Sequence, residues 1–105
     1  LGEVVGTPGS QQEERRYRTV RCAAELDELE RELRAAGEFA FDTETTSLDA
    51  LRAELVGVSF STQERSAWYV PLNLEPPVLE GGREALLARL KGVLEDPALR
   101  RFGQN

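Results

Sequence analysis

Two carboxylates separated by a single residue, in Asp42-Thr43-Glu44, are the side chains in this sequence whose types and spacing most suggest chemistry. Along a β-strand the side chains alternate between faces, so positions two apart point the same way. Their Cα atoms then stand about 6–7 Å apart, close enough for both carboxylates to reach one hydrated divalent cation. Mg²⁺ commonly takes one or two protein carboxylates and fills its remaining positions with water and substrate phosphate oxygens. The spacing alone does not separate such a pair from two solvated acids where a strand meets a loop. An Asp-x-Glu arises by chance about 0.4 times in a chain of this length.

Composition removes most other chemistries. There is no His among the 105 residues, which excludes imidazole bases, His-based triads and His-ligated zinc. Cys22 is the single cysteine, so there is no internal disulfide and no thiolate cluster. A metal here must be held by oxygen, which favours Mg²⁺ or Mn²⁺ over Zn²⁺. Against 13 basic residues stand 19 acidic ones, a formal net charge of −6, so a broad basic face gripping duplex DNA by charge is not expected. No apolar run reaches the roughly 18 residues that cross a bilayer and no signal peptide is recognisable, so the expectation is a soluble intracellular protein without membrane contact. The length allows one domain at most. The sequence holds no Met and stops at Phe102-Gly103-Gln104-Asn105 with no polar tail, and the expectation is a piece excised from a longer chain.

The elements that must position the acidic pair follow from periodicity. Phe39 and Phe41 alternate with Ala40 and Asp42, which predicts a strand over 38–42 with the carboxylates at its end. Residues 54–61 and 66–72 predict two further strands, joined as an antiparallel hairpin by the short polar Thr62-Gln63-Glu64-Arg65. Tyr17–Val20 reads as a short strand. Residues 22–36 predict a helix whose stripe is Cys22, Leu26, Leu29, Leu33 and Ala36, with Cys22 a small buried hydrophobe and Gly37 at the C-terminus. Glu25, Glu28, Arg31 and Glu32 read as its solvated face. Residues 83–95 predict a second helix, with Leu86, Leu87, Leu90, Val93 and Leu94 inward and Pro97 halting it. Ala98–Gly103 then forms a last strand, returned by the helical crossover parallel to its neighbour. Trp68 and Tyr69 alternate, so at most one faces any one surface, and both read as packing residues. Residues 1–16, with their glycines and Glu-Glu-Arg-Arg run, read as a linker.

The context of the pair is more specific than its spacing. Phe-Ala-Phe-Asp-Thr-Glu-Thr-Thr-Ser-Leu-Asp (39–49), Glu-Leu-Val-Gly-Val-Ser-Phe-Ser (54–61), Ala-Trp-Tyr-Val-Pro-Leu (67–72) and Phe-Gly-Gln-Asn (102–105) occur in order. Together they closely resemble the 3′→5′ exonuclease domain of bacterial (family A) DNA polymerase I, over residues 17–105. Ribonuclease D is similar at Asp-Thr-Glu but usually lacks the Ser-Leu-Asp and Tyr-Val-Pro-Leu blocks.

The resemblance implies an α/β, ribonuclease H-like mixed sheet with flanking helices, truncated here to the N-terminal part of the domain. It implies a catalytic site of four carboxylates and two Mg²⁺ or Mn²⁺ ions. Asp42 and Glu44 would be two of the four, both ligating one metal, with Asp42 bridging to the second and Glu44 near the terminal 3′-hydroxyl. Thr45 would offer its backbone N–H to the DNA, Leu48 would pack on the terminal bases, and Gln104 and Asn105 would lie along the single strand. The implied reaction is hydrolysis of the 3′-terminal phosphodiester of single-stranded DNA. The implied setting is the bacterial cytoplasm and nucleoid, beside a polymerase domain of the same parent chain.

The remaining two carboxylates, and the Tyr that orients the water, would follow Asn105. We therefore expect the 105-residue chain alone to bind Mg²⁺ or Mn²⁺ weakly and to leave DNA intact. We also expect one poorly covered sheet face, with self-association or a mobile terminus. Three other readings remain: a catalytically dead exonuclease-like scaffold in a polymerase, a ribonuclease D-like RNA exonuclease, and an acidic α/β binding module. Retention of both Asp42 and Glu44 favours live catalysis over the scaffold.

Overall fold

In a computed structural model the chain is described over residues 16–46, 54–62 and 66–104. Strand β1 (Arg16–Thr19) leads into helix α1 (Ala23–Ala36), strands β2 (Glu38–Thr45), β3 (Leu55–Ser61) and β4 (Ser66–Pro71), helix α2 (Gly82–Leu94) and strand β5 (Arg100–Gln104). The expected order of elements is the observed one. The strands form a 5-stranded sheet in the order β1-β4-β3-β2-β5. β2, β3 and β4 are an antiparallel trio, while β1 pairs parallel with β4 and β5 parallel with β2. The crossover through α2 is what returns β5 in the parallel sense.

Register partners share a face, and the ladders divide the sheet into two faces. Arg18, Trp68, Phe60, Phe41 and Gly103 form one row across all the strands. This is the face the helices cover. Leu26, Leu29 and Leu33 of α1 and Leu86, Leu90 and Val93 of α2 pack with Phe39, Val58, Phe60, Trp68 and Val70 into one buried cluster. Phe39 and Phe60 meet edge to face at 5.7 Å between ring centroids. Each such buried side chain contributes about 1.5–3 kcal/mol, which is why short strands of this apolar pattern hold their register.

Helix α1 starts one residue later than its apolar stripe predicts. Cys22 is the N-cap, with φ −151°, and its side chain is exposed rather than buried. A capping residue leaves the helical path, so it drops off the stripe its spacing suggests. Cys22 makes no side-chain cap; instead Glu25 accepts the Arg21 backbone N–H at 2.7 Å. At the other end Gly37 takes a left-handed conformation, φ 79°, and its N–H closes on the Leu33 carbonyl.

The polar face of α1 is also more than a solvated surface. Arg18 grips Glu28 with two hydrogen bonds, at 2.6 and 3.0 Å, and its guanidinium lies 4.4 Å from the centre of the Trp68 ring. Arg89 of α2 reaches Asp27 and Glu30, and Arg34 joins Glu30 to Asp96 in the turn after α2. These pairs tie α1 to β1, to α2 and to the approach of β5. Sequence periodicity marks the residues as polar and cannot show their partners.

Strand β2 runs past the predicted end at Asp42. Thr43 pairs with Val58 and Glu44 with Gly57 before the register shifts between Glu44 and Thr45. The acidic pair is therefore held inside a paired strand, because a continuing ladder outweighs the polar composition of Thr-Glu-Thr. The predicted linker falls almost wholly outside the described residues, and Arg16, its last residue, opens β1.

Candidate active site

Asp42 and Glu44 lie on the sheet face turned away from the helices. Asp42 sits between Ser59 of β3 and Gln104 of β5, and Glu44 faces Gly57 of β3. Ala40 precedes them in the same column, opposite Ser61 and Phe102. Asp42 is half-buried and Glu44 is exposed, so neither is sealed from solvent. Among the described residues neither makes an ion pair or side-chain hydrogen bond. An open cavity of about 330 Å³ adjoins Asp42 but not Glu44, with Tyr17, Ala40, Asp42, Ser59, Ala67 and Phe102 in its lining. Tyr17 and Phe102 are 68% and 54% exposed, which leaves this face without the cover that the helices give the other.

Two like-facing carboxylates on a rigid strand, open to solvent, present hard oxygen donors suited to Mg²⁺ or Mn²⁺. Among the described residues no group of three or more His, Cys, Asp and Glu comes together, so the pair is a partial donor set. A cation on the same face, Arg100, stands 4.0 Å from Glu38 and 5.8 Å over the Phe102 ring.

The other predicted site residues fall as follows. Thr45 is exposed and ends β2 just past the register shift. Gln104 is brought beside Asp42 in register, joining two sequence blocks that are distant along the chain. Leu48 and Asn105 lie outside the described residues. Trp68 is buried in the core, as its packing role requires, while Tyr69 belongs to the row of Asp42.

Tyr69 was not legible as a neighbour of the acids. Its ring leans over Gly57, where a Cβ would overlap the ring and its hydroxyl. Burial raises the Tyr69 phenol above its ordinary value, and the charge of Glu44 adds to the effect. The signal available in the sequence was Gly57 itself, a glycine inside an apolar strand, which marks a close approach.

Residues 17–105 match the 3′–5′ exonuclease family. The chain belongs to that family. It is 44% identical over 93 residues to DNA polymerase I of Pseudomonas aeruginosa, covering 85% of this chain. It is 41% identical over 109 residues to DNA polymerase I of Rhizobium leguminosarum, again covering 85% of this chain. The chain spans 10% and 11% of the length of these two relatives. Exonuclease domains of this family use divalent metals.

Among solved structures, Trypanosoma brucei ribonuclease D in complex with RNA U12 aligns with a TM-score of 0.67 at 18% identity, over 91% of this chain and 32% of that one. The EXD2 exonuclease domain soaked in Mg and GMP aligns with a TM-score of 0.54 at 21% identity, over 82% of this chain and 43% of that one. At these identities the likeness concerns the fold, and it agrees with the ribonuclease H-like α/β architecture expected for this exonuclease segment. Among the described residues no helix is long and apolar enough to cross a membrane.

Proposed function

We propose that the chain is the N-terminal part of the proofreading 3′→5′ exonuclease domain of a DNA polymerase I, with residues 17–105 contributing half of its metal-binding carboxylates. The observation that carries this reading is the placement of Asp42 and Glu44 on one open sheet face, beside Gln104, in a chain of the exonuclease family.

In this reading Asp42 and Glu44 hold a divalent cation on their shared side of β2. In a two-metal site, one such cation would supply an activated water and the other charge stabilisation at the departing 3′-oxygen. The protein's own contribution is rigidity: β2 is paired on both sides at Asp42, so its carboxylate cannot swing away with a loop. Glu44, next to the register shift, has the greater freedom and the greater exposure, which suits a group facing the terminal nucleotide. Thr45, Leu48, Gln104 and Asn105 line the path of the single strand. The net charge of −6 is compatible with this substrate, because a few unpaired nucleotides can be held by packing and by the metals rather than by a basic face. The parent protein would carry the polymerase domain and act in the bacterial cytoplasm on frayed 3′ ends.

The test is degradation of 5′-labelled single strands by the full-length parent protein. Mg²⁺-dependent shortening of DNA from the 3′ end, abolished by chelation, is the expected result. Preference for RNA would instead support a ribonuclease D-like enzyme, whose fold this chain shares. Intact polymerisation with no shortening would support a catalytically dead scaffold.

A further inference from the structure

A group able to orient the exposed Glu44 carboxylate stands on the strands beside it; the inference rests on the metal-binding role proposed above for Asp42 and Glu44. Glu44, Gly57 and Pro71 form one row across β2, β3 and β4, and Asp42, Ser59 and Tyr69 form the row next to it. The Tyr69 ring does not stand straight up from its own row. It leans across β3 into the space above Gly57, so that any Cβ at position 57 would overlap its Cε1, its Cζ and its hydroxyl. That places the hydroxyl in the row of Glu44, about one strand spacing, ~4.8 Å, from the backbone that carries the carboxylate. A protonated phenol beside a carboxylate is a donor facing an acceptor.

We propose that Tyr69 is a positioning residue for Glu44: when a divalent cation binds, the Tyr69 hydroxyl, admitted by the missing side chain of Gly57, becomes the donor that fixes the Glu44 carboxylate in the orientation it shares with Asp42. Partners of this kind fix a ligand's direction and strengthen binding without touching the metal. Gly57 is then a glycine because the site needs the volume above it. Tyr17, in the separate row of Ala67, Ser61 and Ala40, shares the face without sharing the role.

The probe is Mn²⁺ alone, titrated into the millimolar range, as weak binding requires, against the 105-residue chain and followed by electron paramagnetic resonance, with thermal melting measured on each variant; no binding by the unaltered chain in that range would count against the proposal. Tyr69→Phe should weaken Mn²⁺ binding by about 10-fold or more while melting as the parent chain does. Tyr17→Phe should bind as the parent chain does, and Glu44→Gln should lose the site. A parallel measurement needs no variant: Mg²⁺ should shift the Tyr69 ring resonances in the NMR spectrum by more than those of Tyr17. Unchanged affinity in Tyr69→Phe, or an equal loss in Tyr17→Phe, would overturn the positioning role while leaving the metal reading intact. Unchanged affinity in Glu44→Gln would overturn the metal reading and the positioning role together. Should Tyr69→Phe melt early, the ring resonances decide, and their indifference to Mg²⁺ would count against the proposal.

Discussion

Asp42 and Gln104 are register partners across the parallel pair of β2 and β5. One comes from the Phe-Asp-Thr-Glu block and the other from the terminal Phe-Gly-Gln-Asn block, and the crossover through α2 is the means by which they meet. The position of Gln104 beside the candidate metal ligand thus depends on how α2 packs on the sheet.

That dependence can be measured. Leu90 of α2 is 4% exposed and belongs to the central cluster. Leu90→Ala should lower the unfolding free energy by about 2–5 kcal/mol, the range for a truncated core leucine. Urea denaturation of the two chains gives the value directly. A loss below about 1 kcal/mol would mean that α2 does not seat on the sheet as described.

Arg18 joins three elements, since it bonds Glu28 of α1 from β1 while covering Trp68 of β4. Arg18→Ala should cost about 1–2 kcal/mol, from the lost cation–π contact and ion pair together. In about 1 M NaCl the difference should shrink but not vanish, because salt screens the ion pair more than the stacking on the ring. Melting temperatures at low and high salt provide the check; a difference that disappears in salt would reduce the contact to its charge alone.

Acid should weaken the chain through Glu30 and Asp96. Burial pushes the Glu30 carboxyl up, but hydrogen bonds from Arg89 and Arg34 outweigh it and hold the group below its ordinary 4.5. The Ala98 backbone N–H and Arg34 hold Asp96 below its ordinary 3.8. A carboxyl depressed in the folded state adds stability that is present above its unfolded value and is lost as pH falls through its folded value. Stability should therefore hold down to about pH 5 and decline below about pH 4.5. Glu30→Gln should be less stable than the parent chain at about pH 7, and the two should converge in acid. A gap independent of pH would contradict the ion-pair assignment.

The elements of the fold were readable because each rests on a local pattern. The alternation at Phe39 and Phe41, the leucines of α1 at 26, 29 and 33, and Gly37 after them each mark one element, and the structure places all of them accordingly. Cys22 misled because spacing extends a stripe one residue beyond the cap. The length of β2 was underestimated because Thr43 and Glu44 are kept in the strand by partners on β3, which local composition does not reveal. The bonds of Arg18, Arg34 and Arg89 were invisible for the same reason. At the site, spacing puts Asp42 and Glu44 on one face of a strand and the surrounding motif blocks mark them as a site, whereas the approach of Tyr69 requires the register of three strands at once.

The central claim is that Asp42 and Glu44 act together on one divalent cation at a DNA 3′ end. The most direct measurement is removal of a mismatched 3′-terminal nucleotide by the full-length parent protein, comparing Asp42→Ala with the unaltered protein while polymerase activity is followed in parallel. The account predicts a fall in excision of at least about 100-fold with polymerisation preserved. Excision at the unaltered rate would contradict it.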